Sequence, residues 1–423
     1  MPHFGEPSVP YLVVYAPGNI QGAINNLTAG RTWKERVCLK GDFIITDATP
    51  LPIRLPSYTI LDLRKARLLD NRTATIAGKW DNLIENADLV AGNSHIEIWG
   101  GIIDGQRGAV AMQDEEGVIY NTTGNAILFE SVADSKVIGT FIYNMAGNAV
   151  GTHLGQRNKF IDVYAENCCG YGQFELTTEI GAETIRCYAK DGDLVVTAAG
   201  FIVSENSFDC SFIRCCADAN GLHGFWVCCH AERTSIINCY GWNNQDDGVS
   251  TDAALVFIHG CFFWNNSQTG AGTRDGIFVG DGTGIITENT CWDNQGIKTQ
   301  RYGIGASTGS EALWIIAHNF CYGNQHATLD IMWTTLVAIV YGNQGRVLNK
   351  GVIVAPAVPA SGVALTNTYC VPMDVYVDTT GNVTNIAVNG TNTNLTSGLF
   401  HLEPSDTITL TYVAAPAWVW VGN

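Results

Sequence analysis

Apolar and polar residues alternate with a period of two over short stretches through most of the first 345 residues, with Gly, Asn and Asp between the stretches. Such alternation predicts half-buried strands joined by tight turns. A helical period is visible only around residues 20–27. The strands recur in phase. Gly200-Phe201-Ile202-Val203, Gly224-Phe225-Trp226-Val227, Gly248-Val249-Ser250-Thr251 and Gly276-Ile277-Phe278-Val279 all open on Gly. Alternation turns Phe201, Val203, Phe225, Val227, Val249, Ile277 and Val279 inward.

A second series runs from Cys into an Asn- or Asp-containing turn, starting at Cys187, Cys216, Cys239, Cys261, Cys291 and Cys321, with Val340 in the same place at the end. The steps between these cysteines are 29, 23, 22, 30 and 30 residues, the length of a coil of three short strands and three turns. Two strand series kept in phase predict a right-handed parallel β-helix of roughly ten coils. Asn244, Asn266, Asn294, Asn324 and Asn343 then fall at one turn, where stacked amides bond one another. The cysteines are predicted to be buried free thiols in an inward column, consistent with a reducing compartment.

The expected β-helix spans residues 1–350, with residues 1–90 forming the cap and first coils, including Val37–Phe43 and Thr59–Leu63 as cap strands. After Gly345 the repeat stops. Strands at Val363–Leu365, Asp374–Val377, Ile386–Val388, Leu399–Leu402, Ile408–Tyr412 and Trp418–Val421 predict a small β-sandwich over residues 351–423. It would cover the open last rung.

Charge and cysteine spacing narrow the function. The net charge of −17 disfavours nucleic acid and anionic membranes, and a polyanionic substrate would need a bridging cation. No 18-residue apolar run is present, and the first residues carry no signal-peptide pattern. Without any CxxC pair, a metal centre has no support.

Candidate chemistry lies on outward positions of one sheet. One outward column reads Leu128, Gly151, Glu175, Ile202, Trp226, Ser250, Phe278, Gly305, and the next begins Glu130, His153, Thr177, Ser204, Cys228, Asp252. The turn before this sheet adds His223, Asp246, Asp247, Arg274, Asp275, Arg301 and Tyr302. Trp226 and Phe278 are candidate sugar platforms, with Arg274, Arg301, Tyr302 and His230 as further substrate-binding residues. Glu175, Asp246, Asp247, Asp252, Asp275 and His223 are the candidate catalytic residues, because carboxylates one or two rungs apart have the spacing of glycosidic cleavage. Corner turns also favour Asp-Gly, so Asp247 and Asp275 have a purely structural reading. His223 could equally make a local turn bond, and His230 could join Glu232 and Arg233 in a loop ion cluster.

The stretch His95-Ile96-Glu97-Ile98-Trp99-Gly100-Gly101-Ile102-Ile103-Asp104-Gly105 resembles an early coil of the pectate-lyase-like superfamily, as in polygalacturonases. The resemblance covers about residues 15–345. Asn243-Asn244-Gln245-Asp246-Asp247-Gly248 resembles the Asp-Asp element of polygalacturonases, but the family's Asn-Thr-Asp reads Asn220-Gly221-Leu222 here and its His-Gly reads Asp275-Gly276. The resemblance implies an enzyme acting on a polysaccharide, with hydrolysis ahead of uronate elimination or epimerisation; a lyase would bring in Ca²⁺, and otherwise no cofactor is expected. The C-terminal module resembles those of viral and phage β-helix proteins, which implies a homotrimer and, as the alternative function, a glycan-binding spike, virion-associated or extracellular.

Overall fold

The computed structural model describes residues 9–46, 48–49, 52–72, 82–106, 124–192, 198–270, 272–280, 282–306, 313–325, 331–332, 338–344, 351–352, 355–368, 372–403 and 405–422. The chain winds as a parallel β-helix. Eleven strands, from Ile53–Leu55 to Ile331–Met332, stack in parallel into one sheet, the groove sheet. A 22-stranded sheet holds the other two strand series, which begin as the long cap strands Glu35–Ile45 and Thr59–Asp70. Beyond the coil that turns at Gly100 and Gly101, each coil bends within this sheet at a single left-handed residue, such as Asp162, Arg186, Arg214 or Asn238, with φ from 52° to 55°. The strain is offset because the N–H of each bonds the next coil; that of Arg186 reaches the Ile213 carbonyl at 2.9 Å.

The alternation read from the sequence holds. Phe201, Val203, Phe225, Val227, Val249, Ile277 and Val279 are all fully buried. Phe174, Phe201 and Phe225 stack in register along the interior, with centroids 4.8 and 4.9 Å apart. The short helix is Ile20–Asn25, capped by Asn19, whose side chain accepts the Gly22 N–H at 2.8 Å.

The cysteine column needs correction. It is two columns. Cys187, Cys215, Cys239 and Cys261 precede one strand series, and Asn289, Asn319 and Asn343 continue their place. Sulfur and amide oxygen do the same work there, each accepting a backbone N–H from the preceding coil: Cys239 N–H to Cys261 Sγ at 3.3 Å, Cys261 N–H to Asn289 Oδ1 at 2.9 Å. Cys291 instead pairs with Phe263, and Cys321 with Cys291, inside the next strands. Cys216 is outward and half-buried, and Val340 pairs with Ile316 in the other series. A two-residue slip keeps a side chain on the same face, so alternation could not detect it; the Cys215-Cys216 doublet invites a one-residue slip. Ten of the described cysteines are buried, and Cys229 is exposed.

The asparagine series divides likewise. Asn220, Asn244, Asn266, Gln300 and Asn324 form one buried amide ladder, each donating to the next at 2.7–3.2 Å. Asn343 ends the separate ladder from Asn289 and Asn319, and half-buried Asn265 donates to exposed Asn294 at 2.9 Å.

Outside the two-series sheet, Trp242, Trp264, Trp292 and Tyr322 stack with centroids 4.8, 4.9 and 6.0 Å apart and interplanar angles of 10° or less. Ring faces meet ring faces. The ladder therefore presents edges outward.

Past residue 350, two four-stranded antiparallel sheets form. Trp420, Val375 and Leu402 from one, and Ile386, Ile408 and Leu410 from the other, are fully buried. Trp418 and Trp420 share the inner face while Val419 is exposed, as the alternation predicts. No helix among the described residues is long and apolar enough to cross a membrane.

Candidate functional site

The outward columns are paired as the sequence suggests. Leu128, Gly151, Glu175, Ile202, Trp226, Ser250, Phe278 and Gly305 are consecutive partners across the groove sheet. Glu130, His153, Thr177 and Ser204 form the neighbouring column. Parallel strands about 4.8 Å apart bring these side chains into two clusters.

The first cluster is open. His153 Nδ1 lies 2.8 Å from Glu130 Oε1, with the imidazole 42% and the carboxylate 22% exposed. A carboxylate facing Nδ1 fixes the proton there and leaves Nε2 as the acceptor. One rung on, Glu175 takes a very short hydrogen bond from Asn148 Nδ2 and a 3.4 Å bond from Thr177 Oγ1. Thr177 in turn contacts Ser204 Oγ at 3.2 Å. Burial pushes the Glu175 carboxyl above its ordinary range, Glu205 adds to the rise, and Asn148, Thr177 and His153 oppose it. The sequence places His153 and Glu130 in an outward column and leaves them evenly between function and plain surface. Their adjacency in one outward column was the available signal.

The second cluster is the corner at residues 223–302, and it is largely closed. Asp247 and Asp275 are both fully buried. Asp247 Oδ1 accepts the Asp275 N–H at 2.6 Å, and its Oδ2 faces His223 Nδ1 at 3.3 Å. Asp275 takes two bonds from Arg301, at 3.0 and 2.7 Å, and the Tyr302 N–H at 3.1 Å. Burial raises the Asp275 carboxyl to about 7, opposed by Arg301 and supported by the nearby Asp247 charge. Gly305 makes this arrangement possible, since a Cβ there would sit 2.1 Å from Asp275 Oδ2.

Around that core the corner presents Arg301, Arg274 paired with Asp246 at 3.3 Å, and Trp226 with its ring 5.6 Å from that of His223. Phe278 is half-buried two rungs from Trp226. Asp252 is exposed just past its strand, and His230 is exposed at a turn with φ 66°. Arg233 pairs with Glu232 at 3.6 Å and with Asp209 at 2.7 Å. Glu175 stands three coils from Asp247 along the groove, about 14 Å by strand spacing, so the candidate carboxylates do not form one pair. Among the described residues no three His, Cys, Asp or Glu side chains converge as a metal site.

No family model and no curated sequence matches the chain. Solved structures do. The A-module of Azotobacter vinelandii mannuronan C-5 epimerase AlgE6 is similar at TM-score 0.57 and 14% identity, over 77% of this chain and 93% of that one. The shared fold is the parallel β-helix. The β-helix also matches the AlgE4 A-module from the same organism (TM-score 0.56, 14% identity, 76% and 95% covered) and the periplasmic alginate epimerase AlgG (0.53, 9%, 79% and 83%). At these identities the likeness is one of architecture.

Proposed function

We propose that this β-helix modifies an acidic, uronate-bearing polysaccharide laid along the groove sheet, by proton transfer at the carbon beside the sugar carboxylate. The observation that carries the reading is the open Glu130–His153 pair beside an enclosed Glu175. Glu130 holds the His153 tautomer, Nε2 takes the proton, and Glu175, whose burial shifts it toward protonation, donates a proton or a hydrogen bond to the substrate. Base and acid of this kind suit elimination or epimerisation better than glycoside hydrolysis, which needs a second free carboxylate. Asp247 and Asp275, tied into the corner, brace it. Arg274, Arg301 and Trp226 would bind more distant sugars, their cations offsetting the acidity of the chain. The names of the similar structures, mannuronan and alginate epimerases, agree with this substrate class.

The test is incubation with uronate polymers and neutral glycans, following unsaturated uronate absorbance, reducing ends, and epimer ratio by NMR. Unsaturation or epimerisation that falls about 10²–10⁴-fold in both Glu175→Gln and His153→Ala supports the reading. Reducing ends without unsaturation would point to hydrolysis, and binding without any product to a glycan-binding spike. Either result sinks the proton-transfer mechanism.

A further inference from the structure

The chain is strongly acidic, yet residues 31–72 carry nine Lys or Arg against five Asp or Glu. Arg36, Lys40, Arg64, Lys65 and Arg67 stand on the cap strands of the two-series sheet, while Arg54 belongs to the groove sheet. Tyr11–Tyr15, Glu35–Ile45 and Thr59–Asp70 run in parallel, placing Tyr11 beside Arg36 and Tyr15, Lys40 and Lys65 in one row. Arg36, Cys38, Leu39, Lys40, Asp62, Arg64 and Lys65 line a cavity of about 370 Å³, within the size range of small-ligand sites.

Within it the charges do not balance. Asp62 is the one carboxylate of the lining, and Arg64 already holds it with two bonds at 2.9 and 2.7 Å. Arg36 Nη1 stands 3.9 Å from the same carboxylate, while its buried Nε has no acceptor. A buried guanidinium N–H without an acceptor is unfavourable until an anion arrives. Lys65 makes no hydrogen bond or ion pair among the described residues. Aromatic rings complete the face. Tyr11 and Tyr15 are 61% and 64% exposed, with Arg36 and Lys40 5.2 and 5.1 Å from their centroids, and Trp99 lies 5.1 Å from Arg64.

We infer that this face is a second, non-catalytic site for an anionic saccharide. Its carboxylate or sulfate is held by Arg36, Lys40 and Lys65, and its ring lies on Tyr11 or Tyr15. Cations select the charge, and exposed aromatic faces select a sugar over a bare anion. Such a site would retain an acidic chain while the groove works on another part of it, a role that rests on the substrate class proposed above.

The test is calorimetric titration of the full chain with an oligomannuronate, its carboxyl-reduced counterpart, a sulfated oligosaccharide of equal length, and inorganic sulfate. Lys40→Ala/Lys65→Ala, and Lys65→Ala alone as the milder change, should weaken binding of the charged oligosaccharides about tenfold or more. Binding should also weaken with salt, and the reduced oligomer should not bind. Oligomannuronate and sulfated sugar binding alike assigns the site to anionic sugars generally; binding of one alone names the group. Glu175→Gln should leave the affinity of this site unchanged, so a protein without turnover can still pass. Equal affinity of the lysine variants and the native chain overturns the inference. So does sulfate binding as tightly as the sugars, or binding of anionic vesicles without binding of any oligosaccharide.

Discussion

Gly305→Ala isolates the buried corner. The backbone at Gly305 is ordinary, so Ala brings no conformational strain of its own. Its Cβ would meet Asp275 Oδ2 at 2.1 Å and Cγ at 2.7 Å, and the carboxylate would have to leave. Leaving means giving up both Arg301 bonds and the Tyr302 N–H in a site with no solvent. Breaking a buried ion pair costs about 3–5 kcal/mol; because Arg301 is 28% exposed and can be rehydrated, about 2–4 kcal/mol is expected here. Urea unfolding followed by far-UV dichroism, near pH 8 where Asp275 is ionised, measures it. The loss should shrink near pH 5, where a carboxyl raised to about 7 is protonated and cheaper to displace. In an Asp275→Ala background Gly305→Ala should add less than about 0.5 kcal/mol, since the obstructing group is gone. A single-mutant loss under about 0.5 kcal/mol, or an undiminished loss in that background, would refute the argument.

Glu179 lies in a turn between the sheets, takes the Asn158 amide at 3.0 Å on one oxygen, and is raised to about 7 by burial. The unfolded chain releases this proton near 4.5 and the folded chain near 7, so stability falls as pH rises between them, by at most about 3 kcal/mol. Glu179→Gln should flatten that part of the stability–pH curve; an unchanged slope would count against it. Asn244→Ala removes both the donor to Asn266 and the acceptor of Asn220, and should cost about 2–4 kcal/mol in denaturant titrations. Thiol labelling of the native protein should modify Cys229 first and Cys38 and Cys216 slowly, with the ten buried cysteines reacting only on unfolding; fast labelling of Cys239 would contradict its burial.

The strands and the inward residues were legible because alternation reports faces directly. Register was not. Cys261 and Cys291 both point inward, and only hydrogen bonding reveals that Asn289 is the true partner of Cys261. The first outward column was right residue by residue and the second as far as Ser204, yet chemistry had been weighted toward the conspicuous Asp246-Asp247 corner. Asp-Gly at a solenoid corner serves turn geometry as readily as catalysis, and burial, invisible in sequence, separates the two. His153 and Glu130 lie 23 residues apart in the chain and carry no motif; adjacency across the rung makes them a pair. The exterior ladder of Trp242, Trp264 and Trp292 went unread because Trp242 and Trp264 follow Cys239 and Cys261 by three residues while Trp292 follows Cys291 by one, so aligning the cysteines puts the rings out of register.

That ladder has an optical consequence. Indoles stacked nearly parallel at 4.8–4.9 Å couple their electronic transitions, and the coupling decays steeply as the rings separate. The coils around residues 242–322 thus carry their own circular-dichroism signature, distinct from the backbone signal of the whole chain. In a quasi-one-dimensional solenoid, where neighbouring coils are the units of cooperativity, comparing the two signals during melting reports whether the helix unzips from one end or collapses at once.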